Sequence, residues 1–121
     1  MSAGMRLDVE LQCIRRTLIV RLKGELDHHT ADSVRLRMEE AIEQEDIHDV
    51  IVSLKQLTFM DSSGLGVMIG RYKQITAKGG KMIVCDVNPA VHRLFEMSGL
   101  FKIVTLLDNE EVALSSLGVV S

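Results

Sequence analysis

Residues 50–66 read VIVSLKQLTFMDSSGLG, and this stretch decides the fold class. Its first part, Val50 to Leu54, is a nearly continuous apolar run, which is typical of a central strand covered on both faces. Asp61 and Ser62 then open a segment whose apolar residues recur at helical spacing. These apolar residues are Leu65, Met68, Ile69, Tyr72 and Ile75. A buried strand that leads into a helix predicts an α/β domain with a largely parallel sheet.

The segment before this unit predicts a hairpin and a helix. Apolar and polar residues alternate from Leu7 to Cys13, which indicates a half-exposed strand. A second strand follows from Thr17 to Leu22 and ends at Gly24, and so short a connection implies an antiparallel pair. Thr30 is the predicted N-cap of the first helix, and Leu36 lies off its apolar stripe. That stripe consists of Ala31, Val34, Met38, Ala41 and Ile42.

The segment after this unit predicts two further strands, each followed by a helix. Met82 to Val87 is a buried strand, and a third helix runs from Pro89 in its first turn to near Gly99. Phe101 to Leu107 is the last strand, and Asp108 or Asn109 caps a terminal helix. The predicted order is β-β-α-β-α-β-α-β-α, which implies a mostly parallel, mixed sheet with an antiparallel edge hairpin and four helices.

Composition restricts the class of protein. The 121 residues predict one domain over 1–121, with a core over about 7–118. A net charge of −3 and 3% aromatic residues argue against direct binding of nucleic acid. Cys13 and Cys85 lie in apolar runs, which predicts two buried thiols in a reducing compartment. No stretch is long enough to span a bilayer, so we expect a cytoplasmic protein without a membrane anchor.

Two loops with unusual chemistry are expected to meet at the carboxyl ends of the parallel strands. They are Gly24–His29 and Met60–Gly66. A phosphate on Ser62 would lie beside free backbone N–H groups at the positive end of a helix dipole, so modification need not unfold the domain. No Arg or Lys lies between Lys55 and Arg71, which leaves the new charge to a partner. Simple helix capping is the structural alternative.

Asp27, His28 and His29 form a second group of candidate functional residues. The side chains of adjacent residues seldom point toward the same metal ion. Neither cysteine lies in a motif with the spacing of metal ligands, so we expect no metal site. Two interpretations stay open. The three residues are solvated loop residues before the Thr30 cap, or Asp27 lies near Ser62 and helps to position it or a docking kinase.

Catalytic alternatives are less well supported by the sequence. A nucleophile elbow needs Gly-x-Ser-x-Gly, but Met60 occupies the position of the first glycine, and a base such as His92 would come from a distant helix. A two-component receiver needs an acidic pair after its first strand, and none follows Leu7 to Cys13. The chain also has no phosphate-binding Gly-x-x-x-x-Gly-Lys loop. On the residues alone, an enzyme with Ser62 as nucleophile or with the histidines around a metal is the less favoured alternative.

Four segments in order resemble the STAS domain of sporulation-type anti-sigma-factor antagonists. The similarity runs from about Leu7 to the last residue. The segments are Gly24–Thr30, Phe59–Gly66, Arg71–Ile75 and Met97–Ile103. Asp-Ser-Ser-Gly alone would be weak evidence, but four motifs in the right order across one domain are strong.

The resemblance implies a phosphorylation switch. In this family the unphosphorylated antagonist binds an anti-sigma factor that is also an ATP-dependent serine kinase, and binding releases the sporulation sigma factor. The kinase phosphorylates the serine after the motif's aspartate, here Ser62, and a membrane-associated PP2C-type phosphatase restores it. The resemblance thus implies that the antagonist itself has no catalytic activity and no cofactor, because ATP is used by the partner. The alternative is a general stress-type antagonist that acts on a different anti-sigma kinase.

The resemblance also implies a docking surface around both loops. The Asp27 position and the loop after Ser62 are expected to contribute. The predicted partner-binding residues are Asp27, His28, Asp61, Ser62, Ser63, Gly64, Leu65 and Gly66.

Overall fold

The computed structural model describes residues 6–119, and the element order predicted from the sequence is confirmed. The predicted domain span of 1–121 includes a few terminal residues, 1–5 and 120–121, that lie outside the described residues. The strands are β1 Leu7–Ile14, β2 Thr17–Leu26, β3 Asp49–Met60, β4 Met82–Cys85 and β5 Thr105–Leu107. The helices are α1 Ala31–Gln44, α2 Ser62–Thr76, α3 Pro89–Ser98 and α4 Glu110–Ser116, with a 3-10 turn at Leu100–Lys102.

The sheet has the predicted mixed topology. Its five strands lie in the order β1-β2-β3-β4-β5, with β1 antiparallel to β2 and the other neighbours parallel. Alternate residues of β3 point to opposite faces. Val50, Val52 and Leu54 join the main core with α1, α2 and α3, whereas Ile51 joins a smaller cluster with Ala113 of α4. Val50 to Leu54 is therefore covered on both faces, as predicted.

Gly24 does not end β2, contrary to the prediction. The strand continues to Leu26, and its pairing register with β3 shifts around Gly24. Gly24 has a φ of +112°, and a Cβ there would collide with the backbone carbonyl of Arg6. Glycine thus permits a local irregularity within a continuing strand instead of terminating it. The longer β2 carries its loop past the end of the four-residue β4.

The last predicted strand is wrong over its first half. Gly99 ends α3 in the left-handed region with a φ of +78°, and a 3-10 turn follows directly. Phe101 and Ile103 are each 43% exposed, so the apolar residues here do not form a buried strand. Only Thr105–Leu107 pairs with β4, which itself ends at Cys85 instead of the predicted Val87.

The two thiols differ in exposure. Cys85 is buried as predicted, but Cys13 is exposed and the prediction for it is wrong. Cys13 lies near the hairpin end of β1, an edge strand of the sheet, where the strand reaches the margin of the core. Both cysteines are free. Between residues 6 and 119, the helices lack the length and apolar character required to cross a membrane.

Candidate functional site

Asp61 is the N-cap of α2, as predicted. Its backbone is extended, and its Oδ1 accepts hydrogen bonds from the N–H groups of Ser63 at 2.8 Å and Gly64 at 3.4 Å. These are orphan donors that a helix start must satisfy. The free N–H groups expected for a phosphate on Ser62 are therefore taken at Ser63 and Gly64 by the Asp61 carboxylate.

Ser62 is the first residue of α2, and it is exposed. Ser63, beside it, is only half-buried. The predicted position of Ser62 at an accessible helix start is confirmed, because β3 ends at Met60 and the helix begins two residues later. A hydroxyl in this position can be reached by another protein without unfolding of the domain.

The two loops meet at the carboxyl edge of the sheet, as predicted. The N–H of Asp61 donates to the carbonyl oxygen of Leu26 at 3.2 Å. The N–H of His28 donates to Oδ2 of Asp61, also at 3.2 Å, and Nδ1 of His28 lies 3.8 Å from the same oxygen. One carboxylate thus caps α2 with one oxygen and holds the loop between β2 and α1 with the other.

Asp27 is buried, with 4% of its surface exposed. Its Oδ1 accepts hydrogen bonds from the N–H groups of His29 at 2.8 Å and Thr30 at 3.2 Å, and its Oδ2 lies 3.0 Å from Nη2 of Arg6. Burial alone would raise the pKa of Asp27, but the His29 N–H, the Arg6 charge and the Thr30 N–H outweigh it and lower that pKa. The solvated-loop interpretation is therefore wrong for Asp27, although His28 and His29 are exposed.

Thr30 is the N-cap residue of α1, as predicted, but its side chain makes no capping hydrogen bond to the helix. Its hydroxyl instead donates to the carbonyl oxygen of Glu25 at 2.9 Å and accepts from the N–H of Asp27 at 3.0 Å. The hydroxyl of the N-cap residue is thus engaged in the loop, where it fixes the backbone around Asp27. The buried Asp27 therefore has a structural role, because its hydrogen bonds hold the backbone of the loop.

The glycines after Ser62 have different surroundings. A Cβ on Gly64 would lie 2.5 Å from Cγ of Met60 and 3.0 Å from Cγ of Leu26, so the helix packs closely on the strands there. A Cβ on Gly66 would have no atom within 4 Å. Gly64 and the adjoining Leu65 are buried, whereas Gly66 is exposed.

The predicted partner-binding residues therefore divide by exposure. His28, Ser62 and Gly66 are exposed, and Asp61 and Ser63 are partly so. The buried members are Asp27, Gly64 and Leu65. Contact of the exposed residues with a partner stays a prediction. The buried residues support the loops and do not offer surface to a partner.

Sequence reasoning missed two residues at this edge. Phe59 is 48% exposed three positions before Ser62, and it is not among the predicted partner-binding residues. Arg6 holds Asp27 from 21 positions away, and no local pattern signals that contact. An exposed aromatic residue beside the loops adds apolar area to a surface that is otherwise polar.

The catalytic alternatives gain no geometric support. Across residues 6–119, no group of three or more His, Cys, Asp and Glu side chains is arranged to hold a metal ion. The rings of His28 and His29 lie against each other, with centroids 3.9 Å apart. Nδ1 of His92, the candidate base, lies 3.5 Å from Oε1 of Glu96 on α3.

Comparison with known proteins identifies similar sequences. The family model described as "STAS domain" matches residues 8–113. The chain is 61% identical over 117 residues to an anti-sigma F factor antagonist of Paenibacillus polymyxa, covering 97% of this chain and all of that protein. It is 40% identical over 86 residues to the anti-sigma F factor antagonist of Lysinibacillus sphaericus, covering 71% and 74% of the two chains.

Comparison with solved structures identifies the same fold. The anti-sigma factor antagonist SpoIIAA in its unphosphorylated form matches with a TM-score of 0.76 and 30% identity, over 93% of this chain and all of that one. The Bacillus cell fate determinant SpoIIAA in its phosphorylated form matches with a TM-score of 0.74 and 33% identity, over 91% and 99%.

Proposed function

Because the chain belongs to the STAS-domain family and is an anti-sigma-factor antagonist like its relatives, we propose that phosphorylation of Ser62 controls its activity. The unphosphorylated form binds an anti-sigma factor that is also a serine kinase, and this releases a sporulation sigma factor. The kinase uses ATP to phosphorylate Ser62, and the phosphorylated form no longer binds. The antagonist itself has no catalytic role and needs no cofactor.

The exposed hydroxyl of Ser62 at the first position of α2 is the observation that carries this proposal. Phosphate adds roughly −1.5 to −2 charges at neutral pH. The N–H groups of Ser63 and Gly64 already bond Asp61, and no Arg or Lys lies between Lys55 and Arg71. The local sequence therefore supplies no Lys or Arg to pair the new charge, and a partner surface that cannot accept this charge releases the antagonist. A loss of about 4 kcal/mol reduces affinity about a thousandfold.

The fold is expected to tolerate this modification. SpoIIAA structures in the unphosphorylated and phosphorylated forms match this chain with TM-scores of 0.76 and 0.74. Such similar agreement with both forms supports a switch that changes the surface while the domain stays folded.

We place the docking surface on the exposed side of the two loops. It consists of His28, Ser62 and Gly66, flanked by Phe59. Gly66 lets a partner approach the helix backbone, and Phe59 offers apolar area that gains free energy when it is covered. Asp27 and Asp61 hold these exposed residues in place.

Titration of the fluorescently labelled anti-sigma kinase with the antagonist tests the proposal. Unphosphorylated protein should bind, and protein phosphorylated on Ser62 should bind about a thousandfold more weakly. Ser62→Ala should bind and resist phosphorylation, whereas the control Ser63→Ala should bind and gain one phosphate. The proposal fails when mass spectrometry finds no phosphate on Ser62 after incubation with kinase and ATP, or when both forms bind equally.

A general stress-type antagonist is the second candidate. The chain is 29% identical over 107 residues to the anti-sigma-B factor antagonist of Bacillus subtilis, against 61% for the Paenibacillus anti-sigma F factor antagonist. We therefore favour the sporulation kinase as the partner. Competition binding against anti-sigma factors of both types distinguishes the two candidates.

The remaining partners follow from the same switch. We propose that a PP2C-type phosphatase removes the phosphate, and that the sigma factor is affected only indirectly. The protein would act in the cytoplasm, where sigma factors meet RNA polymerase, and without direct contact to nucleic acid. Incubation of the phosphorylated protein with such a phosphatase should restore kinase binding.

A further inference from the structure

Asp61 uses its second carboxylate oxygen to hold His28. Oδ2 accepts the backbone N–H of His28 at 3.2 Å and lies 3.8 Å from Nδ1 of the imidazole ring. The side chain of His28 is 69% exposed, and that of Asp61 is 28% exposed. The imidazole ring of His28 therefore lies beside the start of α2, next to Asp61, the residue that precedes Ser62.

The arginine paired with the neighbouring Asp27 is already engaged, which leaves the imidazole of His28 as the basic group in contact with Asp61. Arg6 lies 3.0 Å from Asp27 and 3.4 Å from Glu25, so its charge is already shared between two carboxylates. His29 stacks on the His28 ring from the same loop. From α2, Asp61 faces His28, and among the described residues its only ion-pair contact is with that ring.

A phosphate on Ser62 would face the carboxylate of Asp61. It would lie next to Asp61 in the chain, and the N–H groups of Ser63 and Gly64 are already bonded to that carboxylate. Two neighbouring negative groups repel each other unless a cation lies between or beside them. An imidazole ring can bind a proton and then donate hydrogen bonds from both of its nitrogens, so one ring can pair with a phosphate and a carboxylate.

Building on the proposed phosphorylation of Ser62, we propose that His28 is the counter-ion of the phosphorylated site. Its imidazolium group pairs with the phosphate and with Asp61, and so ties the loop between β2 and α1 to the start of α2. The ring, paired with the phosphate, is then no longer free to contact the partner. Phosphorylation would thus alter the surface at two places, by adding a charge at Ser62 and by engaging His28.

Phosphorus-31 NMR on protein with phosphoserine inserted at position 62 during translation tests this pairing directly. The midpoint of the second phosphate ionisation should rise by about half a pH unit in His28→Gln, because the neighbouring cation that favours the dianion is lost. The matched control His29→Gln should leave the midpoint unchanged. Asp61→Asn should lower it, since amide replaces a repelling carboxylate while the cap is kept.

The result separates this inference from the switch itself. An equal midpoint in wild-type protein and His28→Gln would overturn the role of His28, and the kinase-binding switch would stand on its own data. Absence of kinase-dependent phosphate on Ser62 would overturn the proposed function. The midpoint measurement needs no kinase and is unaffected by that outcome.

Discussion

Nη2 of Arg71 in α2 lies 3.0 Å from Oε2 of Glu39 in α1, and this ion pair joins the two helices at a nearly buried guanidinium. The Arg71 side chain is 7% exposed, and its buried Nε and Nη1 have no hydrogen-bond partner among residues 6–119. Burial lowers the pKa of Arg71, Glu39 opposes that change, and Arg35 adds to it. The free energy of burying the Arg71 charge therefore depends strongly on the Glu39 carboxylate.

We predict that Glu39→Ala destabilises the protein more than Arg71→Met does. Removing Glu39 leaves a buried charge unpaired, which should lower the free energy of unfolding by about 2 kcal/mol because Glu39 is partly solvated. Arg71→Met removes the charge and keeps most of the packing volume. Urea unfolding measures both, and the exposed neighbour variant Glu40→Ala should stay within about 0.5 kcal/mol of wild type. A greater loss for Arg71→Met would contradict this account.

The stabilisation provided by Asp27 should depend on acid pH. Its pKa is lower in the folded protein than in the unfolded chain, so its carboxylate stabilises the fold above about pH 4. That contribution is lost as pH falls through the lowered folded-state pKa. Wild type should therefore exceed Asp27→Asn in unfolding free energy at pH 7, and the difference should shrink toward pH 3.

Denaturant unfolding at several pH values measures this difference. Asp46→Asn is a suitable control, because the Asp46 side chain is 79% exposed and its contact with Arg16 is 3.5 Å long. The control should change stability little at any pH. A gap between wild type and Asp27→Asn that widens in acid would refute the assigned direction of the pKa change.

Two glycine-to-alanine changes in α2 should have opposite effects. Gly64→Ala puts a methyl group against Met60 and Leu26 and should destabilise the protein by about 1–3 kcal/mol. Gly66→Ala meets no atom within 4 Å and should stabilise it by about 0.5–1 kcal/mol through helix propensity. Thermal unfolding of the two variants checks this ordering, and equal effects would show that the close packing at Gly64 is absent.

The two thiols should react at very different rates. Burial and the charge of Asp86 raise the pKa of Cys85 to about 12, and burial followed by the charge of Glu45 raises that of Cys13. Because the thiolate is the reacting form, iodoacetamide at pH 8 should modify the exposed Cys13 first and Cys85 only after unfolding. Raising the pH should speed modification of Cys13, as followed by peptide mass spectrometry. Simultaneous labelling of both would contradict the burial of Cys85.

Local patterns explain why the sequence predicts the element order so well. The apolar run at Val50–Leu54 marks a buried strand, and helical spacing after Ser62 marks α2. Asp61 and Gly99 mark the two kinds of helix end, a side-chain cap and a left-handed residue. Each signal depends on residues within a few positions, so it can be recognised without knowledge of the packing. The meeting of the two loops also follows, since it needs only the parallel order of the strands.

The sequence by itself therefore determined the mixed sheet, its four helices and the accessible Ser62 at the start of α2. Tertiary structure alone decided three contacts. The buried Asp27 pairs with Arg6, the buried Arg71 pairs with Glu39, and the Asp61 carboxylate accepts a hydrogen bond from the N–H of His28. Those contacts join residues 21, 32 and 33 positions apart. Whether a charged side chain lies in water or beneath the surface depends on which distant segments pack over it, and periodicity within one element carries no information about that packing.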